Sequence, residues 1–238
     1  MFKSQSIYRL LLAECLGTLM LVFAGTGAII VNDLYGGVIT HFGIAATFGL
    51  IVLAVIYTYG DTSGAHINPA VTIAFWVARR FPGKWVLPYI ASQATGALMA
   101  SILWKFYFPQ HESLGATLPI VGQPQTFIME LILTWWLTTV ILGVSEGAKE
   151  KGLVAGLVIG GVVALEAVFA GPLTGASMNP ARSLGPAVIS GQMSGLWIYI
   201  VATSLGATLA VFTCRLTKGP ECCSNELIVE NTSTSNKN

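Results

Sequence analysis

Six long apolar segments constrain the fold of this 238-residue chain more than any other feature. They cover about 7–31, 41–60, 85–107, 125–145, 152–171 and 195–217. At about 1.5 Å of helix rise per residue, each segment is long enough to cross about 30 Å of hydrocarbon. Charged residues make up only 10% of the chain, whereas a soluble domain carries about 25%. The sequence therefore predicts an all-α integral membrane protein with six transmembrane helices.

Two copies of one short motif interrupt this pattern. Residues 63–71 read SGAHINPAV, and residues 174–182 read TGASMNPAR. In each copy an Asn, a preferred N-cap residue, precedes a Pro, which suits the first position of a helix. The apolar stretches that follow, about 68–79 and 179–189, are half as long as a spanning helix requires. The motifs therefore predict two short helices that start inside the membrane region.

The chain also repeats itself, over about 1–120 and 121–217. Tyr89 precedes Gly96 by seven residues, and Tyr199 precedes Gly206 by the same interval. Three spans per half is an odd number, so the second half must insert upside down. Inverted repeats with interrupted helices place the functional site of many transport proteins near the midplane. We expect two re-entrant half-helices that meet at the midplane, and glycines such as Gly96 and Gly206 where helices cross closely.

The basic residues predict the orientation of the six spans. With two exceptions they fall on one side of the membrane, which is therefore expected to be cytoplasmic together with both termini. These residues are Lys3, Arg9, Arg79, Arg80, Lys84, Lys149, Lys151, Arg215, Lys218 and Lys237. The exceptions are Lys105, at the end of a span, and Arg182, in the second motif. A net charge of +1 gives no reason to expect a nucleic-acid partner. Residues 218–238 are polar and are expected to form a disordered tail.

The motifs together resemble those of the aquaporins, the major intrinsic protein family, over about 7–217. The resemblance is carried by Ala13-Glu14, the run FAGTG at 23–27, both Asn-Pro-Ala triplets and the run NPARSLGPA at 179–187. The runs GPLTGASMNP at 171–180 and ARRFP at 78–82 are similar to the nodulin-like branch and its bacterial relatives. The resemblance implies one channel domain at 1–217, a homotetramer in the plasma or inner membrane, and no cofactor.

The resemblance also implies where the pore lies. Its centre would be formed by Asn68-Pro69-Ala70 and Asn179-Pro180-Ala181. Each half-helix N-terminus presents roughly +0.5 of an elementary charge, so two of them facing each other repel cations and protons. The Asn carboxamides can donate hydrogen bonds to the oxygen of a permeating molecule.

The family's second constriction, the selectivity filter, maps onto four residues by spacing. These are Phe48, Ala167, Ala176 and Arg182. Strict water channels of this family usually have a His where this chain has Ala167, so the filter is expected to be wider. An apolar wall facing one guanidinium suits glycerol, urea, boric acid or arsenous acid. Ser183 differs from the Asp that glycerol facilitators usually carry, so the filter resembles neither extreme, and the channel is expected to pass water as well.

Three buried acids and one histidine complete the set of candidate residues. Glu14 and Glu130 occupy equivalent places in the repeat, and the resemblance implies that they support the two re-entrant loops. It also places His66 in the inner vestibule. Glu166 is expected to brace the second loop or to face a neighbouring helix. No metal site is expected, because His66 has no second His or Cys at ligand spacing.

Alternatives to a solute channel remain open from the sequence. A strictly water-selective aquaporin is the nearest one. An ion-coupled secondary transporter would share the inverted repeat, with Glu166 the one acid able to serve a proton relay. A junctional membrane protein could use the same fold. An enzyme is not expected, because no Ser/His/Asp or Cys/His set and no phosphate-binding Gly loop occurs.

Overall fold

The computed structural model describes residues 6–145 and 149–219. Most of the predicted tail, from residue 220 onward, lies outside the described residues. In the described part the chain forms α1 (Ile7–Leu34), α2 (Thr40–Ser63), α3 (Pro69–Val77), α4 (Val86–Tyr107), α5 (Gln123–Val144), α6 (Lys149–Thr174), α7 (Pro180–Ser190) and α8 (Leu196–Lys218). A single 3-10 turn, Gly83–Trp85, precedes α4.

Six of these helices are long and apolar enough to cross a membrane. They are α1, α2, α4, α5, α6 and α8, and their ends differ from the predicted ends by three residues or fewer. The helices α3 and α7 have only 9 and 11 residues, so neither can span a bilayer. The prediction of six transmembrane helices and two half-helices is confirmed.

Helix packing follows the inverted repeat. In the first half α1 packs against α2 and α4, and in the second half α5 packs against α6 and α8. The half-helices cross between halves, because α3 packs against α8 and α7 packs against α4. The remaining large contact joins α2 to α6. Each half therefore holds the half-helix of the other, which brings both motifs to the centre of the bundle.

Two glycines allow the closest helix crossings. A Cβ atom at Gly96 in α4 would lie 2.1 Å from the backbone oxygen of Cys15 in α1. A Cβ atom at Gly206 in α8 would lie 2.2 Å from the backbone oxygen of Leu131 in α5. Both distances are far inside van der Waals contact, so only glycine fits. The expectation that these glycines are helix contact points is confirmed.

The helix bundle has two opposite faces, at which the helices begin and end. The terminal face is the one at which α1 begins and α8 ends. The loop face is the opposite one, where residues 35–39 join α1 to α2 and residues 108–122 join α4 to α5. Between the faces, large apolar side chains such as Leu50, Leu103 and Leu209 are exposed on the outer helix surfaces. An apolar perimeter of this kind fits contact with lipid chains.

Candidate functional site

Two short loops, 64–68 and 175–179, lead into the half-helices and share one backbone conformation. Each begins with a left-handed glycine and then contains two left-handed residues that are not glycine. These are Ala65 (φ 45°) and Ile67 (φ 44°) in the first loop, and Ala176 (φ 40°) and Met178 (φ 53°) in the second. Such residues store about 1–3 kcal/mol of strain each and persist only where the surroundings fix them. The loops are therefore held in place by specific contacts.

Each motif asparagine caps its half-helix, as the sequence predicts. The Asn68 Oδ1 atom accepts a hydrogen bond from the backbone N–H of Ala70 at 2.9 Å. The Asn179 Oδ1 atom accepts from the N–H groups of Ala181 at 3.0 Å and Arg182 at 3.3 Å. With its oxygen engaged in this way, each carboxamide must turn its NH2 group away from the helix.

The two asparagines also tie the loops to each other. Asn68 Nδ2 donates to the backbone oxygen of Met178 at 2.8 Å, and Asn179 Nδ2 donates to that of Ile67 at 2.9 Å. Each NH2 group has two hydrogens, so one N–H of each carboxamide remains available. Both asparagines line the central cavity, where that N–H can meet a permeating molecule.

Glu14 anchors the first loop. Its carboxylate accepts hydrogen bonds from the backbone N–H groups of His66 at 2.9 Å and Ile67 at 2.7 Å. It also accepts from the Ser63 hydroxyl at 2.7 Å and from Gln93 Nε2 at 2.8 Å. These four donors surround a fully buried carboxylate, so the left-handed loop backbone is fixed from the side of α1.

Glu130 does the same for the second loop from α5. Its carboxylate accepts from the backbone N–H groups of Ser177 and Met178, both at 2.9 Å. The Thr174 hydroxyl donates to it at 2.8 Å. Glu14 and Glu130 therefore make equivalent contacts in the two halves, and both are buried completely.

A pair of tyrosines adds a support whose role the sequence analysis missed. The Tyr89 hydroxyl donates to the backbone oxygen of Ser63 at 3.0 Å, and the Tyr199 hydroxyl donates to that of Thr174 at 2.8 Å. Each bond holds the last residue of the helix that precedes a loop. The matching positions of Tyr89 and Tyr199 in the repeat were the available signal for this role.

One cavity of about 150 Å³ follows the two loops. Apolar side chains of α2, α5 and α6 form one wall, and the loop residues with the two asparagines form the other. Wall residues from α2 are Phe48, Val52 and Ile56, from α5 Leu137 and Ile141, and from α6 Ala155, Ile159, Val163 and Ala167. The cavity therefore presents one apolar and one polar side to a molecule inside it.

All four residues assigned to the filter by spacing line this cavity: Phe48, Ala167, Ala176 and Arg182. The Arg182 guanidinium carbon lies 4.9 Å from the centre of the Phe48 ring. The two alanines supply small side chains to the remaining wall. The Phe48 ring is seated against Gly25 of α1, where a Cβ atom would lie 2.1 Å from the ring.

The segment between α4 and α5 holds Arg182. Arg182 Nη1 donates to the backbone oxygen of Gly115 at 2.9 Å. Nearby, the Thr117 hydroxyl donates to Ser183 Oγ at 2.7 Å, and Ser183 lies 2.6 Å from Ser177 Oγ. Ser177 in turn donates to the backbone oxygen of Asn179 at 2.9 Å. No sequence motif marks Gly115 or Thr117, so sequence reasoning missed this hydroxyl chain.

His66 lines the same cavity between the asparagines and the terminal face. Its ring stacks on Phe75 with centroids 4.8 Å apart, and its Nδ1 atom lies 3.1 Å from the Thr72 hydroxyl oxygen. In the part of the chain that the structure describes, no cluster of three or more His, Cys, Asp or Glu side chains could hold a metal ion.

Glu166 stands apart from the other candidates. It is completely buried and is not among the cavity residues. Neither carboxylate oxygen has a hydrogen-bond partner among residues 6–145 and 149–219. The structure therefore shows no bond from Glu166 to the second loop, although Glu130 lies within electrostatic reach.

The chain is similar to known proteins over most of its length. Residues 1–214 match the family described as Major intrinsic protein. The chain is 45% identical over 197 residues to "Probable aquaporin NIP4-2" of Arabidopsis thaliana, covering 82% of this chain and 70% of the relative. It is 44% identical over 198 residues to "Nodulin-26" of Glycine max, covering 83% of this chain and 73% of the relative.

A solved structure has the same fold as this chain. The aquaglyceroporin from Plasmodium falciparum superposes with a TM-score of 0.82 at 25% sequence identity, covering 91% of this chain and 99% of that one. Its fold is thus the one predicted from the inverted repeat. With the paired motifs, the six spans and the nodulin-type relatives, this chain belongs to the major intrinsic protein family of aquaporin channels, whose members are membrane transport proteins and not enzymes.

Proposed function

We propose that this protein is a passive channel for water and for small neutral solutes that carry hydroxyl or amide groups. Glycerol, urea, boric acid and arsenous acid are the solutes of this class. The observation that carries the proposal is the filter, in which one guanidinium faces an aromatic ring and two alanines.

The polarity of this filter is one-sided. Arg182 presents N–H donors that remain charged at any physiological pH. Phe48, Ala167 and Ala176 offer no hydrogen bonds from their side chains. A solute with hydroxyls on one edge and carbon or boron behind them fits both sides. A cation meets the fixed positive charge of Arg182 and is repelled.

The centre of the pore supports exclusion of protons. The N-termini of α3 and α7 face each other there, each with a partial positive charge of roughly half an elementary charge. Asn68 and Asn179 each keep one N–H for a passing oxygen, because the other N–H is bound to the opposite loop. A water that accepts from both asparagines points its hydrogens away from the pair, which interrupts a proton wire.

The proposal includes the orientation of the channel, its membrane and its oligomeric state. The terminal face is cytoplasmic, because most basic residues in the described part of the chain lie toward it, namely Arg9, Arg79, Arg80, Lys84, Arg215 and Lys218. Residues 1–217 act as one channel domain in the plasma or inner membrane. Four copies assemble, each with its own pore and with lipid around the assembly, as the family resemblance implies. Glu14 and Glu130 support the loops, and His66 lines the inner vestibule.

Stopped-flow light scattering on proteoliposomes tests the solute range. The wild-type protein should pass water, glycerol, urea and boric acid under simple concentration gradients. Ala167→His should lower the glycerol and boric acid permeabilities at least tenfold while retaining water permeability. Ala167→Leu fills the same space without an imidazole, so it separates filter width from polarity. A wild-type channel that passes water alone would establish the strictly water-selective alternative instead.

Arg182→Val tests the charged side of the filter. Removing the guanidinium should admit small cations and change the order of solute permeabilities. Unchanged ion and solute fluxes would contradict the role proposed for Arg182. A flux that requires an ion gradient would favour the secondary transporter, although Glu166 lies outside the cavity and is poorly placed for a proton relay.

A further inference from the structure

Helix α6 carries a proline near its end at the loop face. Pro172 lies inside the helix and has no N–H, so it cannot donate to the backbone oxygen of Val168, its partner four residues earlier. The Val168 oxygen therefore lacks its usual intrahelical donor, and a donor from elsewhere stabilises this turn by giving it a partner.

A side chain from another helix supplies that donor. His41 Nε2, in the first turn of α2, lies 2.7 Å from the backbone oxygen of Val168. A carbonyl can only accept, so Nε2 carries the hydrogen and donates it. Both the neutral Nε2–H tautomer and the imidazolium can do this.

The residue before the proline makes room for the ring. A Cβ atom at Gly171 would lie 2.8 Å from the His41 Cε1 atom. Gly171 does not have a left-handed φ, so the backbone conformation does not require glycine there. The imidazole occupies the space that a Cβ atom at Gly171 would take, so an alanine there would displace the ring. Gly171, Pro172 and His41 thus form one fitted contact.

This contact joins the two helices that carry opposite parts of the filter. Val168 directly follows Ala167 on α6. Phe48 lies seven residues after His41 on α2, which is two helical turns along the same face. The bond therefore ties α2 to α6 at the loop face, next to Ala167 and about 10 Å along α2 from Phe48.

We propose that His41 is a positioning residue for the filter. It satisfies the carbonyl that Pro172 leaves free, and by doing so it sets the spacing of α2 and α6 on the loop-face side of Phe48 and Ala167, beyond the close approach of Gly49 to Gly160. The inference deepens the proposed function, because it relies on the assignment of these residues to the filter.

A double-mutant cycle tests the bond itself. Pro172→Ala restores a backbone N–H that can donate to Val168, so His41 should become dispensable in that background. His41→Ala alone should lower the thermal unfolding midpoint of the detergent-solubilised protein, and His41→Ala on Pro172→Ala should not lower it further. Gly171→Ala, which displaces the ring, should act like His41→Ala. Equal effects of His41→Ala in both backgrounds would overturn the proposal.

Permeability tests the consequence for the filter. His41→Ala should change the glycerol-to-water permeability ratio at least twofold, and His41→Gln, whose amide can still donate, should restore the ratio toward wild type. A purely structural loss would lower both permeabilities together, leave their ratio unchanged and overturn the positioning role. Ala167→His distinguishes the two proposals. If it leaves solute permeability unchanged, the filter assignment fails, while the unfolding cycle still reports on the bond.

Discussion

The two halves of the pore share a scaffold and differ in what they present to the solute. In both, a buried glutamate accepts two loop N–H bonds, a tyrosine holds the preceding helix end, and an asparagine caps a half-helix. Three residues after that asparagine the halves diverge, with Val71 in the first and Arg182 in the second. The loop backbone thus occurs twice, whereas the guanidinium of the proposed filter occurs once.

The layer behind the loops differs in the same way. In the first half Thr72 lies 3.1 Å from His66 Nδ1 and accepts from Gln93 Nε2 at 3.0 Å. Its counterpart Ser183 accepts from Thr117, which belongs to the segment at the loop face. A helix residue therefore backs the vestibule, and a connecting segment backs the filter. We therefore expect changes in that segment to alter selectivity without disturbing the repeated scaffold.

The largest effect should come from neutralising either loop anchor. Glu14→Gln and Glu130→Gln each replace one carboxylate oxygen by an NH2 group, so one loop N–H loses its acceptor and the new N–H donors face it without a partner. Each buried unsatisfied group costs about 1–3 kcal/mol, so we expect a loss of unfolding free energy of about 3 kcal/mol or more for both variants. Thermal unfolding in detergent, together with water permeability, measures the loss.

Glu166→Gln is the matched control for these two variants. Glu166 is as deeply buried, but its oxygens have no hydrogen-bond partner among residues 6–145 and 149–219. The substitution should leave stability unchanged or increase it. If Glu166→Gln were as damaging as Glu14→Gln, burial and not loop support would explain all three results.

The second test addresses the symmetry of packing. Gly96→Ala and Gly206→Ala each push a methyl group into the backbone of a neighbouring helix, at 2.1 and 2.2 Å. Overpacking of this kind costs about 1–3 kcal/mol, and the two variants should lose similar amounts. Gly161→Ala is the control, because a Cβ atom there meets nothing within 4 Å. Its unfolding midpoint should match or exceed that of the wild type, because alanine favours the helix, and a clear drop would contradict the packing argument.

The repeated scaffold is also the part that sequence reasoning anticipates best. Apolar length fixes the six spans, and Asn followed by Pro fixes where α3 and α7 begin. Both signals are local, because a helix start depends on its own cap residues. Glu14 and Glu130 are visible as well, because carboxylates are rare inside apolar segments and these two occupy equivalent places in the repeat.

The contacts made by connecting segments are not visible in this way. No motif in residues 108–122 predicts that the Gly115 carbonyl accepts a hydrogen bond from Arg182 or that the Thr117 hydroxyl donates one to Ser183. These bonds depend on how the segment folds back over α7. A pattern of apolar and polar residues does not predict that path. The seating of Phe48 against Gly25 has the same origin, because it depends on how α1 and α2 cross.

The smallest expected effect concerns the hydroxyls of Ser183 and Thr72, which occupy equivalent positions in the two halves. It tests whether the two halves differ in their effect on selectivity. Ser183→Ala interrupts the row of hydrogen bonds that runs from Thr117 through Ser183 to Ser177. This row lies beside Arg182. Ser183 makes two of these bonds, the loss of each costs about 1 kcal/mol, and the glycerol-to-water permeability ratio should shift two- to threefold. Thr72→Val removes the counterpart hydroxyl, which lies beside His66 and away from the filter. It should lower stability by a similar amount while leaving that ratio unchanged. Equal shifts in the ratio for both variants would mean that the two halves contribute equally to selectivity, contrary to the asymmetry between Val71 and Arg182.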